Sequence, residues 1–262
     1  MSLPIHPQIG ETRNYGFKWQ EEDKRDYKFG FESVGLPISV DLSDTVRNPV
    51  LDQGSVGSCT ANATAVALKH TLLTEKYPWI FLPSRLYIYN VTRTLEGTAL
   101  NVDSGANIRD VFLAVSQYRV CTEQHMPYIP EKFSEPIPVD ALSNAKLHAN
   151  NFKYLAVAQN LIDLKTCLFQ GYPIVFGTEV YSSFESQNAL TTGNIPIPNT
   201  TTEQLLGGHC ILIVGYNDNT QMFKVQNSWG SNVGDKGYFY FPYSYITNQN
   251  LCSDFWTVRN FS

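Results

Sequence analysis

The chain has 262 residues, 43% of them hydrophobic, and a formal charge of −5, so it can bury the core of one large domain or of two halves sharing an interface. Charged residues reach only 16% while aromatic residues reach 13%, which excludes a disordered, charge-solvated chain. With 19 basic residues against 24 acidic ones and no Lys/Arg cluster, neither nucleic acid nor an anionic membrane is an expected partner, and a peptide or protein substrate fits better.

No apolar run approaches the roughly 18 residues that span a bilayer, and Met1 to Gly10 lacks the charged start and apolar core of a secretory signal. Five cysteines, at 59, 121, 167, 210 and 252, form no C-x-x-C pair, and the histidines at 6, 70, 125, 148 and 209 show no ligand spacing. Neither a metal nor another cofactor is expected.

Residues 1–35 are polar, with Glu21-Glu22-Asp23-Lys24-Arg25-Asp26 at their centre, and show no sustained period; they are expected to form an extended N-terminal segment. Turn formers then fill Asn48-Pro49-Val50-Leu51-Asp52-Gln53-Gly54. From Ser58 the texture changes to an Ala-rich run without Gly or Pro, apolar on nearly every side and ending near Tyr77-Pro78. That pattern predicts a buried helix, with Ser58 at its N-cap and Cys59 in its first turn. Residues 84–94 and 107–118 also read as helices, which makes the first half mainly α.

Residues 127–138 form a Pro-punctuated linker. After a helix over 162–170, short runs rich in β-branched and aromatic residues predict strands at 173–180, 209–215, 222–226 and 238–242, with Asn217-Asp218-Asn219 as a turn. The expected fold is α+β: a helical half, about 36–126, followed by an antiparallel β half, about 127–262, with a cleft between them suited to an active site.

A cysteine attacks as thiolate, and a helix N-terminus offers positive partial charge and unpaired N–H groups that favour that form. Cys59 has this placement. His209 follows Gly207-Gly208 and opens a strand, and Asn227 comes 18 positions later, just after the next strand. Hairpin pairing can bring the two together, so that the Asn amide oxygen holds one ring nitrogen while the other faces a thiol. Taken singly, Cys59 and His209 are each more often structural residues.

Three blocks, Gln53-Gly54-Ser55-Val56-Gly57-Ser58-Cys59, Gly208-His209 running into Ile213-Val214-Gly215-Tyr216, and Asn227-Ser228-Trp229-Gly230, resemble the signature blocks of the papain and cathepsin family of cysteine peptidases. The resemblance implies a papain-like two-lobed fold and peptide hydrolysis, with Cys59 as nucleophile, His209 as base and then acid, Asn227 as its orienter and Gln53 as an oxyanion donor. It implies further that Trp229 covers the His–Asn pair and that Gly105 lets an extended substrate backbone approach. Pro173-Ile174, Gly207 and, near the C-terminus, Thr257 would wall the pocket for the second residue before the scissile bond, with Gly208 and Trp229 also among the substrate-binding residues.

The sequence departs from the animal and plant pattern in two ways. Val56 stands where the family has a disulfide cysteine, with Asp103-Ser104-Gly105 where its mate would sit, and Thr60 replaces a Trp. These changes resemble the disulfide-poor bacterial or viral branch and suit a reducing compartment, cytoplasmic or virion-associated. Residues 1–35 are too short for a long helical propeptide and are expected to lie over the surface or the cleft and tune access. Transglutaminase-type acyl transfer and a catalytically silent papain-fold binding protein are the competing expectations, and the lack of an occluding insertion favours an endopeptidase.

Overall fold

The computed structural model describes residues 13–21, 23–30, 35–46, 50–147 and 152–260; the rest of the expected N-terminal segment lies outside the described residues. In chain order the elements that build the site are β1 (Phe17–Lys18), β2 (Ser39–Asp41), α1 (Cys59–Thr74), α2 (Arg85–Leu95), β3 (Ala106–Asn107), α3 (Ile108–Tyr118) and α4 (Val139–Leu147). They continue with β4 (Phe152–Ala156), α5 (Leu161–Phe169), β5 (Ile174–Tyr181), β6 (Leu205–Asn217), β7 (Met222–Gln226), β8 (Tyr238–Pro242) and β9 (Cys252–Asn260).

The sheet runs β4-β9-β5-β6-β7-β8, with β2 paired to β6, and every pairing in it is antiparallel. α1 packs against β5, β6 and β9 as well as against α2 and α3, which is why nearly all of its residues are buried. A helix apolar all round is stable only in such a place, because any turn of it left wet would waste apolar surface. Ala61, Ala65 and Ala67, all without exposure, keep α1 thin enough to approach the sheet closely. The molecule is thus a helical half laid against an antiparallel β half, the α+β two-lobed arrangement expected from the sequence.

The strands read over 222–226 and 238–242 have the same bounds in the structure, and the three predicted helices after α1 agree to within a residue at each end. β6 is much longer than its expected 209–215, because Leu205 to Gly208 continue the ladder against β5. The sequence pattern missed α4, which turns only Ala141, Asn144 and Ala145 inward and so shows no apolar stripe. It also missed β9. There Asp254 has φ +55 and the register against β5 shifts between Val175 and Gly177, so a bulge breaks the alternation of period two.

Ser58 does occupy the cap position of α1, yet its side chain does not cap it. Its hydroxyl instead lies 2.5 Å from the Tyr128 hydroxyl and accepts from Asn62 Nδ2 at 3.0 Å. The Ser58 oxygen therefore leaves the first-turn N–H groups beside Cys59 uncapped, and their positive field stays available.

The described N-terminal residues form a strap. β1 pairs in parallel with β3, Phe17 opposite Ala106 and Lys18 opposite Asn107. Farther along, the Arg109 guanidinium donates to Asp26 at 2.6 Å and to the Glu21 carbonyl at 2.9 Å. Finally the Phe29 N–H donates to Ala156 O and the Ala156 N–H to Tyr27 O, both at 2.8 Å, so the strap also closes the outer edge of β4.

Candidate active site

Cys59, the first residue of α1, is fully buried. Burial pushes its thiol up to about 11, although the backbone N–H groups of Cys210, Gly16, Thr60 and Cys59 itself bear on the sulfur and pull the other way. The Cys210 N–H, next along β6 from His209, bears on the sulfur, so the start of α1 and the His209 position of β6 meet at one junction. The His209 ring is buried, and its Nε2 lies 2.8 Å from Asn227 Oδ1. The same Asn227 oxygen accepts from the Ser228 N–H at 2.7 Å, which fixes it as an acceptor and makes His209 Nε2 the protonated nitrogen. Among the described residues the buried Nδ1 has no hydrogen-bond partner, and in this tautomer it carries the lone pair that can take a proton.

Trp229 lies nearly parallel to His209, ring centroids 5.0 Å apart, and keeps water from the Nε2–Oδ1 bond. Burial holds the His209 pKa down at about 4, the bond to Asn227 opposes this, and the Arg13 charge pushes it lower still. In the closed site burial thus pushes both groups toward their neutral forms.

Gln53 is 2% exposed and its amide is aimed by Ser228, whose hydroxyl donates to Oε1 at 2.7 Å. Nε2 consequently points the other way, donating to Val56 O at 3.1 Å and reaching Asn14 O at 3.4 Å. The loop between Gln53 and Cys59 is braced from outside by Asp103. Its carboxylate accepts from the Gly57 N–H at 2.9 and 3.1 Å, from the Tyr89 hydroxyl at 2.5 Å and from Asn14 Nδ2 at 2.9 Å. Sequence reasoning noted Val56 and Asp103 as the places of a missing disulfide, and the structure shows an ionic brace from Asp103 to the residue after Val56.

The strap threads this site. The Asn14 carbonyl faces Gln53, and the Tyr15 ring stands edge-on to His209 at 5.8 Å, its hydroxyl bonded to Glu185. The Arg13 guanidinium lies 4.0 Å over Trp229. Gly16 O accepts from the Ala106 N–H at 2.7 Å, an approach so close that a Cβ on Gly105, which has φ +68, would overlap the Gly16 backbone. A Cβ on Gly207 would come within 2.8 Å of Tyr15 Cβ, and one on Gly208 within 2.8 Å of Phe17 O.

Cys59, His209, Asn227, Gln53 and Trp229 are thus brought together, with Gly105, Gly207 and Gly208 around them. Ile174 lies in the ladder opposite Ile213, three residues before Gly177, the β5 residue that meets the strap. Thr257 is fully buried, its hydroxyl donating to Pro173 O at 3.0 Å. Sequence reasoning missed Tyr15, Phe17, Asp103 and Gly177 as parts of the site. Two signals were present: the aromatic–Gly–aromatic run Tyr15-Gly16-Phe17, and a glycine inside the strand Val175-Phe176-Gly177-Thr178, where glycine marks a close approach.

A cysteine at a helix N-terminus, a histidine on a strand and an asparagine holding that histidine define a cysteine-nucleophile acyl-cleaving enzyme of two lobes. The model of the papain family cysteine proteases matches residues 36–255, and the chain belongs to that family. It is 38% identical to an uncharacterized peptidase C1-like protein of Acanthamoeba polyphaga mimivirus over 274 residues, which cover 95% of this chain and 87% of the relative. Xylellain, a cysteine protease from Xylella fastidiosa, superposes with a TM-score of 0.89 at 37% identity, covering 97% of this chain and 100% of the solved one. The fold is shared more distantly with a procathepsin B of Trypanosoma congolense, at 18% identity and a TM-score of 0.74 over 95% of this chain and 87% of that one. The viral and bacterial relatives, together with five free cysteines, agree with the disulfide-poor branch. The protein is a papain-family cysteine peptidase.

Proposed function

We propose that the protein is an endopeptidase whose Cys59, His209, Asn227 and Gln53 perform the reaction, and that the strap of residues 13–18 holds it closed. His209 Nδ1 takes the Cys59 proton as the sulfur attacks the peptide carbonyl carbon. The oxyanion that forms is met by the Cys59 N–H and by Gln53 Nε2, the donor now turned toward the Asn14 carbonyl. His209 passes its proton to the leaving amine as the C–N bond breaks, leaving a thioester on Cys59. Water, giving a proton to His209, then releases the acid and restores the thiol. Asn227 acts throughout by keeping the imidazole in one tautomer and one orientation.

Endopeptidase action is supported by one observation: the strap lies on both sides of Cys59, with Arg13 to Tyr15 toward Trp229 and Phe17 to Lys18 along β3. A cleft that takes a continuous chain across its nucleophile is open at both ends. The strap's direction explains how it can stay there uncut. The resemblance places the acyl side of a substrate along Gly105 and the pocket near Gly208, so a substrate runs from Gly208 toward Trp229. The strap runs the opposite way. Its peptide nitrogens therefore lie on the wrong side of their carbonyls for His209 to protonate them as they leave.

The test is cleavage of an unfolded protein by the full chain and by the Tyr15→Ala and Cys59→Ala variants, with fragments read by mass spectrometry. Internal cuts are expected, faster by tenfold or more in Tyr15→Ala and absent in Cys59→Ala. Stepwise loss of one or two terminal residues would refute endopeptidase action, and equal rates for Tyr15→Ala and the unaltered chain would refute the closed strap.

A further inference from the structure

Tyr128 belongs to the Pro-punctuated run over 127–138 that the sequence presents as a linker, yet its hydroxyl reaches the loop before Cys59. It donates to the Gln53 carbonyl at 2.8 Å and lies 2.5 Å from the Ser58 hydroxyl. The phenol has one proton and a carbonyl only accepts, so the second contact runs from the Ser58 hydroxyl to the Tyr128 oxygen. Ser58 Oγ in turn accepts from Asn62 Nδ2 at 3.0 Å, and Asn62 Oδ1 accepts from the Arg85 guanidinium at 3.1 Å. Every donor in this chain therefore points the same way, from Arg85 to the Gln53 carbonyl. We propose that Tyr128 is a positioning residue for the oxyanion site, and that the chain it completes aims the Gln53 amide and the Cys59 N–H together.

The proposal rests on the reading above of those two groups as the oxyanion donors, and adds what holds them. Three observations carry it. First, Gln53 and Cys59 are the two ends of one loop, and Tyr128 is bonded to the first and to the residue before the second. Second, the Ser58 carbonyl accepts from the Asn62 N–H and from Asn62 Nδ2, both at 3.0 Å. A trans peptide carries its C=O and N–H on opposite sides, so a Ser58 oxygen held toward the body of α1 turns the Cys59 N–H out of the helix end. Third, the chain is dry and its far end is anchored. Ser58 and Asn62 are buried, while Arg85 lies 4.0 Å over the Tyr128 ring and donates to Glu123 at 2.7 and 3.1 Å. Hydrogen bonds in line polarise one another away from water, so losing one member weakens the others.

The experiment uses the full chain carrying Tyr128→Phe, which keeps the ring under Arg85 and removes the hydroxyl. Two reagents then report on Cys59. Iodoacetamide alkylates the sulfur without forming an oxyanion, whereas the thiol adds across the C=O of a peptide aldehyde to give a hemithioacetal whose oxygen takes the oxyanion's place. Both reagents must wait for the same strap, so their ratio is free of it. Since a misplacement of 1 Å costs on the order of a hundredfold, the variant is expected to lose about tenfold in aldehyde affinity and in kcat on a fluorogenic peptide, with KM and the alkylation rate within about twofold. Ser58→Ala, which breaks the chain one bond farther on, should act in the same direction, and in the double variant the losses should fall well short of their product. Unchanged aldehyde affinity in Tyr128→Phe, or aldehyde affinity and alkylation falling in parallel, would overturn the positioning role, and losses that multiply would overturn the chain. Should Tyr128→Phe not fold, the same two measurements on Ser58→Ala decide the matter. An unaltered chain whose Cys59 alkylates but takes up no aldehyde would overturn the oxyanion reading of Gln53 together with this proposal. One that binds aldehyde and cleaves no peptide would overturn the peptidase reading alone.

Discussion

The two sides of the site are held by different forces. On the base side, His209 lies inside β6, paired with Thr178 of β5, and Asn227 directly follows β7, the strand on the other side of β6, and Trp229, Phe184, Phe239 and Phe241 pack ring on ring behind them. On the nucleophile side the loop before Cys59 has one antiparallel bridge, Asp52 to Trp229, made by the Gln53 N–H to Ser228 O at 2.9 Å and the Gly230 N–H to Leu51 O at 3.0 Å, and beyond Gln53 the ladder stops. The loop is fixed by single polar bonds from Asp103, from Tyr128, whose hydroxyl donates to Gln53 O at 2.8 Å, and from Arg85, whose guanidinium donates to Asp52 O at 3.0 Å. A ladder distributes its hold over many bonds. A loop pinned by a few loses its shape when one goes.

The largest effect should come from the donor and orienter that flank the two reacting groups. Gln53→Ala is expected to lower kcat by about a hundredfold or more at nearly unchanged KM, the usual cost of one oxyanion donor, and Asn227→Ala to narrow the pH range of kcat as well, because the imidazole is no longer held in one tautomer. Steady-state kinetics over pH separates the two, and a Gln53→Ala enzyme with ordinary kcat would remove that residue from the mechanism.

Next is the brace. Asp103→Ala leaves the Gly57 N–H and the Tyr89 hydroxyl without their acceptor and should cost about 2 kcal/mol of unfolding free energy, measured by urea denaturation. Phe239→Leu on the other side should cost less, about 1 kcal/mol, because neighbouring rings close over the change. The reverse order would contradict the contrast between pinned loop and distributed ladder.

Proton uptake gives a subtler test. His209 ordinarily titrates near 6.5 but is held at about 4 in the closed site by burial, with Arg13 pushing the same way. A group whose folded pKa is depressed keeps the closed state favoured above its ordinary value and weakens it as pH falls from there toward the folded value. The groups that bear on the imidazole are Asn227, Trp229, Tyr15 and Arg13. Between pH 7 and pH 5, on the order of a unit on either side of that value, Cys59 labelling of the unaltered chain should gain on that of Tyr15→Ala. A constant ratio would show that opening takes up no proton at His209.

The smallest effect is expected at Lys18, whose ammonium donates to Glu96 at 2.8 Å from a partly exposed position. Surface pairs of this kind contribute up to about 1 kcal/mol, so Lys18→Ala should raise Cys59 labelling by no more than about fivefold.

The base side was the legible one. Short runs rich in β-branched and aromatic residues with a turn between them were enough to let His209 and Asn227 meet by hairpin pairing, and the placement of Cys59 was legible from the Ala-rich texture of α1. The strap's path was not, because Tyr15 to Lys18 owe their conformation to Gly105, Gly177 and Gly208, residues roughly 90 to 190 positions away along the chain. Asp103 was hidden for the same reason. Nothing near it in sequence announces that its partners are Gly57, Tyr89 and Asn14.

That carboxylate has a consequence of its own. A covalent bridge at this place would tie the shape of the nucleophile loop to the redox poise of the surroundings, and a reductant that keeps Cys59 a thiol would at the same time unfasten the loop that aims it. With Asp103 holding the Gly57 amide, the two demands no longer collide: the scaffold is indifferent to electrons, and the sulfur that must stay reduced can do so without loosening its own mounting.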